Sequence, residues 1–102
     1  MTYKKPANPE AAWELYLYAD NTSELYSQKL AIIDNLRKKA IKGIYDHNKA
    51  VKLWGYWMES AARRYCREFK NDYSIFTPAT RELAAKIAEE SEWLEYKTNG
   101  WA

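Results

Sequence analysis

Apolar residues along the chain recur at steps of three and four, the period of a helix with one buried face. Tyr26, Leu30, Ile33, Leu36, Ala40 and Ile44 form one such stripe. Val51, Trp54, Met58, Ala61, Tyr65 and Phe69 form a second, and Leu83, Ala84, Ile87, Ser91 and Leu94 a thinner third. Between Pro9 and Ala19 the pattern differs: apolar side chains surround most of the circumference, and only Glu10 and Glu14 are clearly polar. A helix of that kind is expected to pack against more than one neighbour.

The breaks between stripes carry capping chemistry. Asn8-Pro9-Glu10 supplies a cap, a first-turn proline and an acid matched to the helix dipole, opening a helix that runs to about Ala19. Asp20-Asn21-Thr22-Ser23 offers capping side chains for a second helix reaching about Lys42, where Gly43 suits a left-handed end. Asp46 caps a third helix to about Lys70, ended by Asn71-Asp72. Thr77-Pro78 opens a fourth that fades near Thr98-Asn99-Gly100. The expected fold is all-α: one helical domain over residues 1–102, a small bundle of about four helices, two long and two shorter. Residues 1–8 and 98–102 are its expected tails.

Composition sharpens this picture. Leu, Ile, Val and Phe together number only 17 in 102 residues, so five Trp and nine Tyr must supply much of the core. One Cys and one His exclude a disulfide framework and zinc fingers, and leave little room for a Ser–His–Asp set. No apolar run is long enough for a secretory signal or a membrane span, so a cytosolic protein is expected.

Charge is unevenly spread. Residues 1–36 carry a net −2, residues 37–70 a net +7, and residues 71–102 a net −3. The basic centre comprises Arg37, Lys38 and Lys42, then Lys49, Lys52, Arg63, Arg67 and Lys70 along the third helix, with Tyr56 in the same stripe. These are the candidate anion-binding or nucleic-acid-binding residues; the competing reading is a solvated outer face.

No catalytic constellation emerges. His47 follows a cap with no evident nucleophile beside it, and Cys66 reads as a small core residue. Glu89, Glu90, Glu92 and Glu95 read as a solvated helix face, and isolated Gly43, Gly55 and Gly100 make no phosphate-cradling loop. Neither a metal nor a cofactor is expected. Trp57, at the edge of the third helix's apolar face, and Trp93, Tyr96 and Trp101, off the fourth helix's stripe, are the candidate protein-contact residues.

The segments Lys42-Gly43-Ile44-Tyr45-Asp46, Ala50-Val51-Lys52-Leu53-Trp54 and Ala61-Ala62-Arg63-Arg64-Tyr65 together form a pattern. It resembles a group of small, uncharacterised helical proteins of bacteriophages and prophages, in which Thr is usual where this chain has Ile44. Trp13–Tyr18 and Thr80-Arg81-Glu82 extend the likeness over most of the chain. The resemblance implies a phage origin and a helical fold, and transfers no catalytic residue.

The expectation is therefore a non-enzymatic, phage-encoded accessory protein of the host-takeover or counter-defence type. It would act in the host cytoplasm by binding a host or viral macromolecule, foremost a protein. The alternative is a nucleic-acid-binding module that uses the basic face of residues 37–70. A homo-oligomer stays open, and no membrane is expected among the partners.

Overall fold

Asn8 opens α1 (Pro9–Asp20) as its sequence predicts: the side-chain oxygen accepts the Ala11 N–H at 3.2 Å, and Pro9 takes the first turn. The computed structural model describes residues 7–92, and in it α2 spans Ser23–Ile41, α3 His47–Phe69 and α4 Pro78–Ser91. A single 3₁₀ turn, Tyr73–Ile75, precedes α4, and no strand occurs among the described residues. This is the expected small all-α bundle.

Local chemistry explains most boundaries. Gly43, at φ +73°, lets the Ile44 N–H reach the Lys39 carbonyl at 2.9 Å while its own N–H bonds Ala40 at 3.1 Å. That pair of bonds absorbs two orphan carbonyls at the end of α2. Asp46 caps α3 by accepting the Lys49 N–H at 3.1 Å, and Thr77 caps α4 by accepting that of Thr80 at 3.2 Å. Thr22 behaves differently from expectation. It starts α2 without a side-chain cap, because its hydroxyl turns back to the Tyr18 carbonyl at 2.6 Å. Helix α3 ends at Phe69 with Lys70 (φ 55°) as its left-handed cap, within one residue of the expected end at about Lys70. Helix α4 ends at Ser91 with Glu92 as its C-cap, well before Thr98.

Helix α3 packs against every other helix and carries the largest share of the described core: Ala50, Trp54, Trp57, Met58, Ala61, Ala62 and Cys66 are buried. Being covered on several sides, its buried face is wider than the single predicted stripe, while Phe69 at the far end remains exposed. On α4 the inward face is small, Ala84, Ala85 and Ala88, with Leu83 and Ile87 only partly covered. Small side chains let its axis lie close to α1 and α3. Leu94 of the predicted stripe lies outside the described residues.

Helix α2 departs from its predicted phase at its start. Ile33, Leu36 and Ala40 are buried as expected; the departure is in the first two turns, where Leu25 is buried and Tyr26 and Leu30 stand exposed, as does Ile44 beyond the helix. Two polar contacts fix this phase. The Trp57 indole N–H donates to the Leu25 carbonyl at 2.9 Å, and Lys29, one turn after Leu25, points inward to Asp20 and Glu92.

Candidate functional site

The fold redistributes the residues predicted to act. Trp57 is 1% exposed and hydrogen-bonded to α2, with Trp54 edge-on at 5.4 Å and Tyr16 at 6.4 Å. It is a core residue and presents no surface to a partner, which corrects the sequence-based expectation. Trp93, Tyr96 and Trp101 lie outside the described residues. Trp54 is buried as expected, although its indole N–H finds no acceptor among the described residues.

The basic candidates stay at the surface. Lys49, Lys52, Tyr56, Arg63, Arg67 and Lys70 are exposed on α3 and its cap, a stripe roughly 31 Å long at 1.5 Å per residue. Glu59 interrupts it and pairs with Arg63 at 2.8 Å. On α2, Lys38 pairs with Asp34 at 3.0 Å, Arg37 is partly buried, and Lys42 is exposed. Lys42, Lys49, Lys52, Arg67 and Lys70 make no ion pair with any described acid.

The largest departure concerns the acidic run of α4. Only Glu90 of its described members is exposed; Glu89 is 1% exposed and Glu92 is also buried, while Glu95 lies outside the described residues. Burying a carboxylate is costly unless it is paired and hydrogen-bonded. Both conditions are met at Glu92. Glu92 Oε1 accepts the Tyr16 hydroxyl at 3.0 Å and lies 2.9 Å from Lys29 Nζ, which also holds Asp20 at 2.5 Å. Glu89 Oε1 accepts the Tyr45 hydroxyl, and its Oε2 is 3.6 Å from His47 Nδ1. Burial, then the neighbouring Glu92 carboxylate, pushes the Tyr16 phenol up to about 12. Burial pulls the Lys29 ammonium down, but its bonds to Asp20 and Glu92 outweigh that and leave it above the usual lysine value. Glu92 thus ties α1 and α2 to the end of α4, and Glu89 ties α4 to the segment that opens α3. His47 is exposed and gains a carboxylate neighbour that the sequence did not reveal. Among the described residues, no cluster of three His, Cys, Asp or Glu could hold a metal ion.

A surface groove lies between α1 and the end of α3, open along its length and about 750 Å³ in volume. Trp13, Leu17 and Phe69 line it, 50%, 50% and 53% exposed. Tyr18 and Tyr65 pack edge-on at 5.1 Å within it, and Phe69 lies 4.7 Å from Tyr65. Two reciprocal bonds clasp the helices there. Tyr65 donates to Glu14 at 2.7 Å, and Tyr18 donates to Glu68 at 2.5 Å. Burial and the Glu68 bond raise the Tyr18 phenol; the Glu14 bond and burial raise Tyr65. The groove explains the apolar circumference of α1. Ala12, Leu15, Tyr16 and Ala19 serve the core, and Trp13 with Leu17 form a second face that no described element covers fully. The sequence signalled a second face on α1 but not that it would stay open.

A second groove, between α3 and α4, is about 460 Å³ and mixes Lys52 and Arg81 with Glu59 and Glu82. Arg81 lies over the Tyr73 ring at 4.8 Å and bonds its hydroxyl. Cys66 is buried, as predicted, and its thiol is pushed up by burial and by Asp72. No helix among the described residues is long and apolar enough to cross a membrane. No protein-family model, curated protein or solved structure matches the chain.

Proposed function

We propose that the protein works by binding another protein, without catalysis, and that the α1–α3 groove is the contact. The observation that carries this reading is Trp13, Leu17 and Phe69 standing half-exposed in one groove on a framework braced by two Tyr–Glu bonds. Rigid aromatic anchors in a shaped depression are what protein interfaces use for most of their binding energy, and contiguous apolar patches on a soluble domain mark such sites. The likeness to phage proteins supports a phage-encoded accessory role, host takeover or counter-defence, in the host cytoplasm. The test compares three folded forms as bait: wild type, Trp13→Ala/Leu17→Ala, and Lys52→Glu/Arg63→Glu/Arg67→Glu. A partner retained by the charge-reversed form and lost by the groove form fits the proposal. A partner captured equally by the groove form refutes it.

The second reading, a nucleic-acid module, draws on the exposed cations of α3, of which Lys49, Lys52 and Arg67 make no ion pair with any described acid. Counterion release makes such binding fall steeply with salt, and each lost phosphate contact lowers the slope by about one. Tight DNA or RNA binding that the triple reversal abolishes would replace the first reading with this one. The reversal itself is expected to leave the fold intact, within about 0.5 kcal/mol per site, because all three side chains are exposed.

A further inference from the structure

We infer that the occupant of the α1–α3 groove is a cationic amphipathic helix, presented by the partner protein. The inference rests on the protein-binding reading above and names the chemistry that the groove selects. Its floor is apolar, and the charged side chains along it have one sign. Glu10 and Glu14 line it, and Glu68 lines its continuation past Tyr18, Asn21 and Phe69. No Lys or Arg is among the described residues that line the main groove. Arg64, at the continuation, is already engaged by Glu24 at 3.2 Å.

The carboxylates are also pre-oriented. Tyr65 holds one oxygen of Glu14 and Tyr18 one oxygen of Glu68, which leaves acceptor capacity on each exposed group for an incoming ammonium or guanidinium. Holding them in place in the free protein removes part of the ordering cost of binding.

Shape points to a helix. The groove follows α1 from Glu10 to Asn21, roughly 16 Å at 1.5 Å per residue, which matches about three turns of a helix laid alongside. Trp13 and Leu17 sit one turn apart, the spacing that meets apolar anchors at i, i+3/i+4 and i+7 of a docked helix. Strand addition has no template, since the described residues form no sheet edge. Basic residues flanking the apolar anchors would face Glu10, Glu14 and Glu68, steering encounter and rejecting acidic competitors.

The test uses the full chain and four labelled peptides of about 16 residues. One is a helix with Leu anchors and flanking Lys, the second its twin with Glu in place of Lys, the third a neutral twin, and the fourth a Lys-bearing proline-rich peptide. Fluorescence polarisation at low and moderate salt gives the affinities. The Lys helix is expected to bind roughly tenfold or more tighter than its Glu twin, with the gap narrowing as salt rises. Glu10→Lys, at an exposed residue with no described bond, should narrow the gap without touching the clasp. Glu10→Lys/Glu14→Lys/Glu68→Lys should invert the order, and Trp13→Ala should weaken all helical peptides together.

Equal affinity for the three helices, still dependent on Trp13, would overturn the cationic occupant and leave the groove reading standing. Preference for the proline-rich peptide would overturn the helix. A dimer in sedimentation that Trp13→Ala dissociates would make a second copy of the chain the occupant instead. Absence of binding by every peptide would also overturn the proposal, and the bait comparison above then decides the groove reading separately.

Discussion

Trp57 and Trp13 should respond very unequally to truncation, although both are tryptophans on amphipathic helices. Trp57 is 1% exposed, and a fully buried Trp removes about 200 Å² from water, worth about 5 kcal/mol at about 25 cal/mol per Å². Alanine retains part of that, and core Trp→Ala changes cost about 3–5 kcal/mol, so about 4 kcal/mol is expected. The lost bond to the Leu25 carbonyl loosens α2 as well, and Trp57→Phe, which loses that bond with only part of the ring volume, should cost less, about 1–2 kcal/mol. Trp13 is 50% exposed at the groove, packs edge-on to Tyr16 at 6.0 Å and leaves no enclosed cavity, so Trp13→Ala should cost about 1–2 kcal/mol. A domain of this length has about 5–15 kcal/mol in total, so Trp57→Ala removes a large share. Urea unfolding followed by circular dichroism measures all three. With a slope near 2 kcal/mol per molar, Trp57→Ala should lower the midpoint by about 2 M. Equal costs for Trp57→Ala and Trp13→Ala would show that α3 is wrongly phased and would remove the basis for the groove.

Two further outcomes follow from the buried groups. The unfolded chain releases a tyrosine proton near 10.0, whereas folded Tyr16 holds its proton to about 12, so the stability it confers is whole below that range and lost as pH rises through it. Lys29, raised in the fold, has the same sign in both proteins; Tyr16→Phe should lose less stability than wild type between about pH 8 and pH 11, by an amount of order 1 kcal/mol, and equal losses would refute the Tyr16–Glu92 coupling. Cys66, buried and raised by burial, should react with a thiol reagent far more slowly in the folded protein than in urea, and rapid labelling of the native state would contradict its placement in the core.

The helix starts were legible because capping is local chemistry. Asn8, Asp46 and Thr77 bond backbone groups three residues away, and Gly43 adopts a conformation in which a Cβ would be strained, so neither depends on distant contacts. Thr22 was misread because the tyrosine carbonyl four residues before it competes for the same hydroxyl. The phase of α2 was less legible. A stripe that reaches Ile33 through Tyr26 and Leu30 fits the helical period as well as one that reaches it through Leu25 and Lys29, and the choice depended on Lys29 finding two carboxylates.

The candidate site divides in the same way. The sequence alone established an all-α chain, a basic centre in residues 37–70 and an α1 with more apolar surface than one neighbour could cover, since composition and periodicity carry these. Only the tertiary structure decided which tryptophan is covered. Trp57 and Trp13 both sit in helical patterns, and their exposure depends on where α2 lies across α3 and on what stops short of α1. The same holds for Glu89 and Glu92, which read as solvated charges until Tyr16, Lys29, Tyr45 and His47 arrive from other helices and loops. A charge's burial depends on partners distant in sequence, and periodicity along one helix cannot encode them.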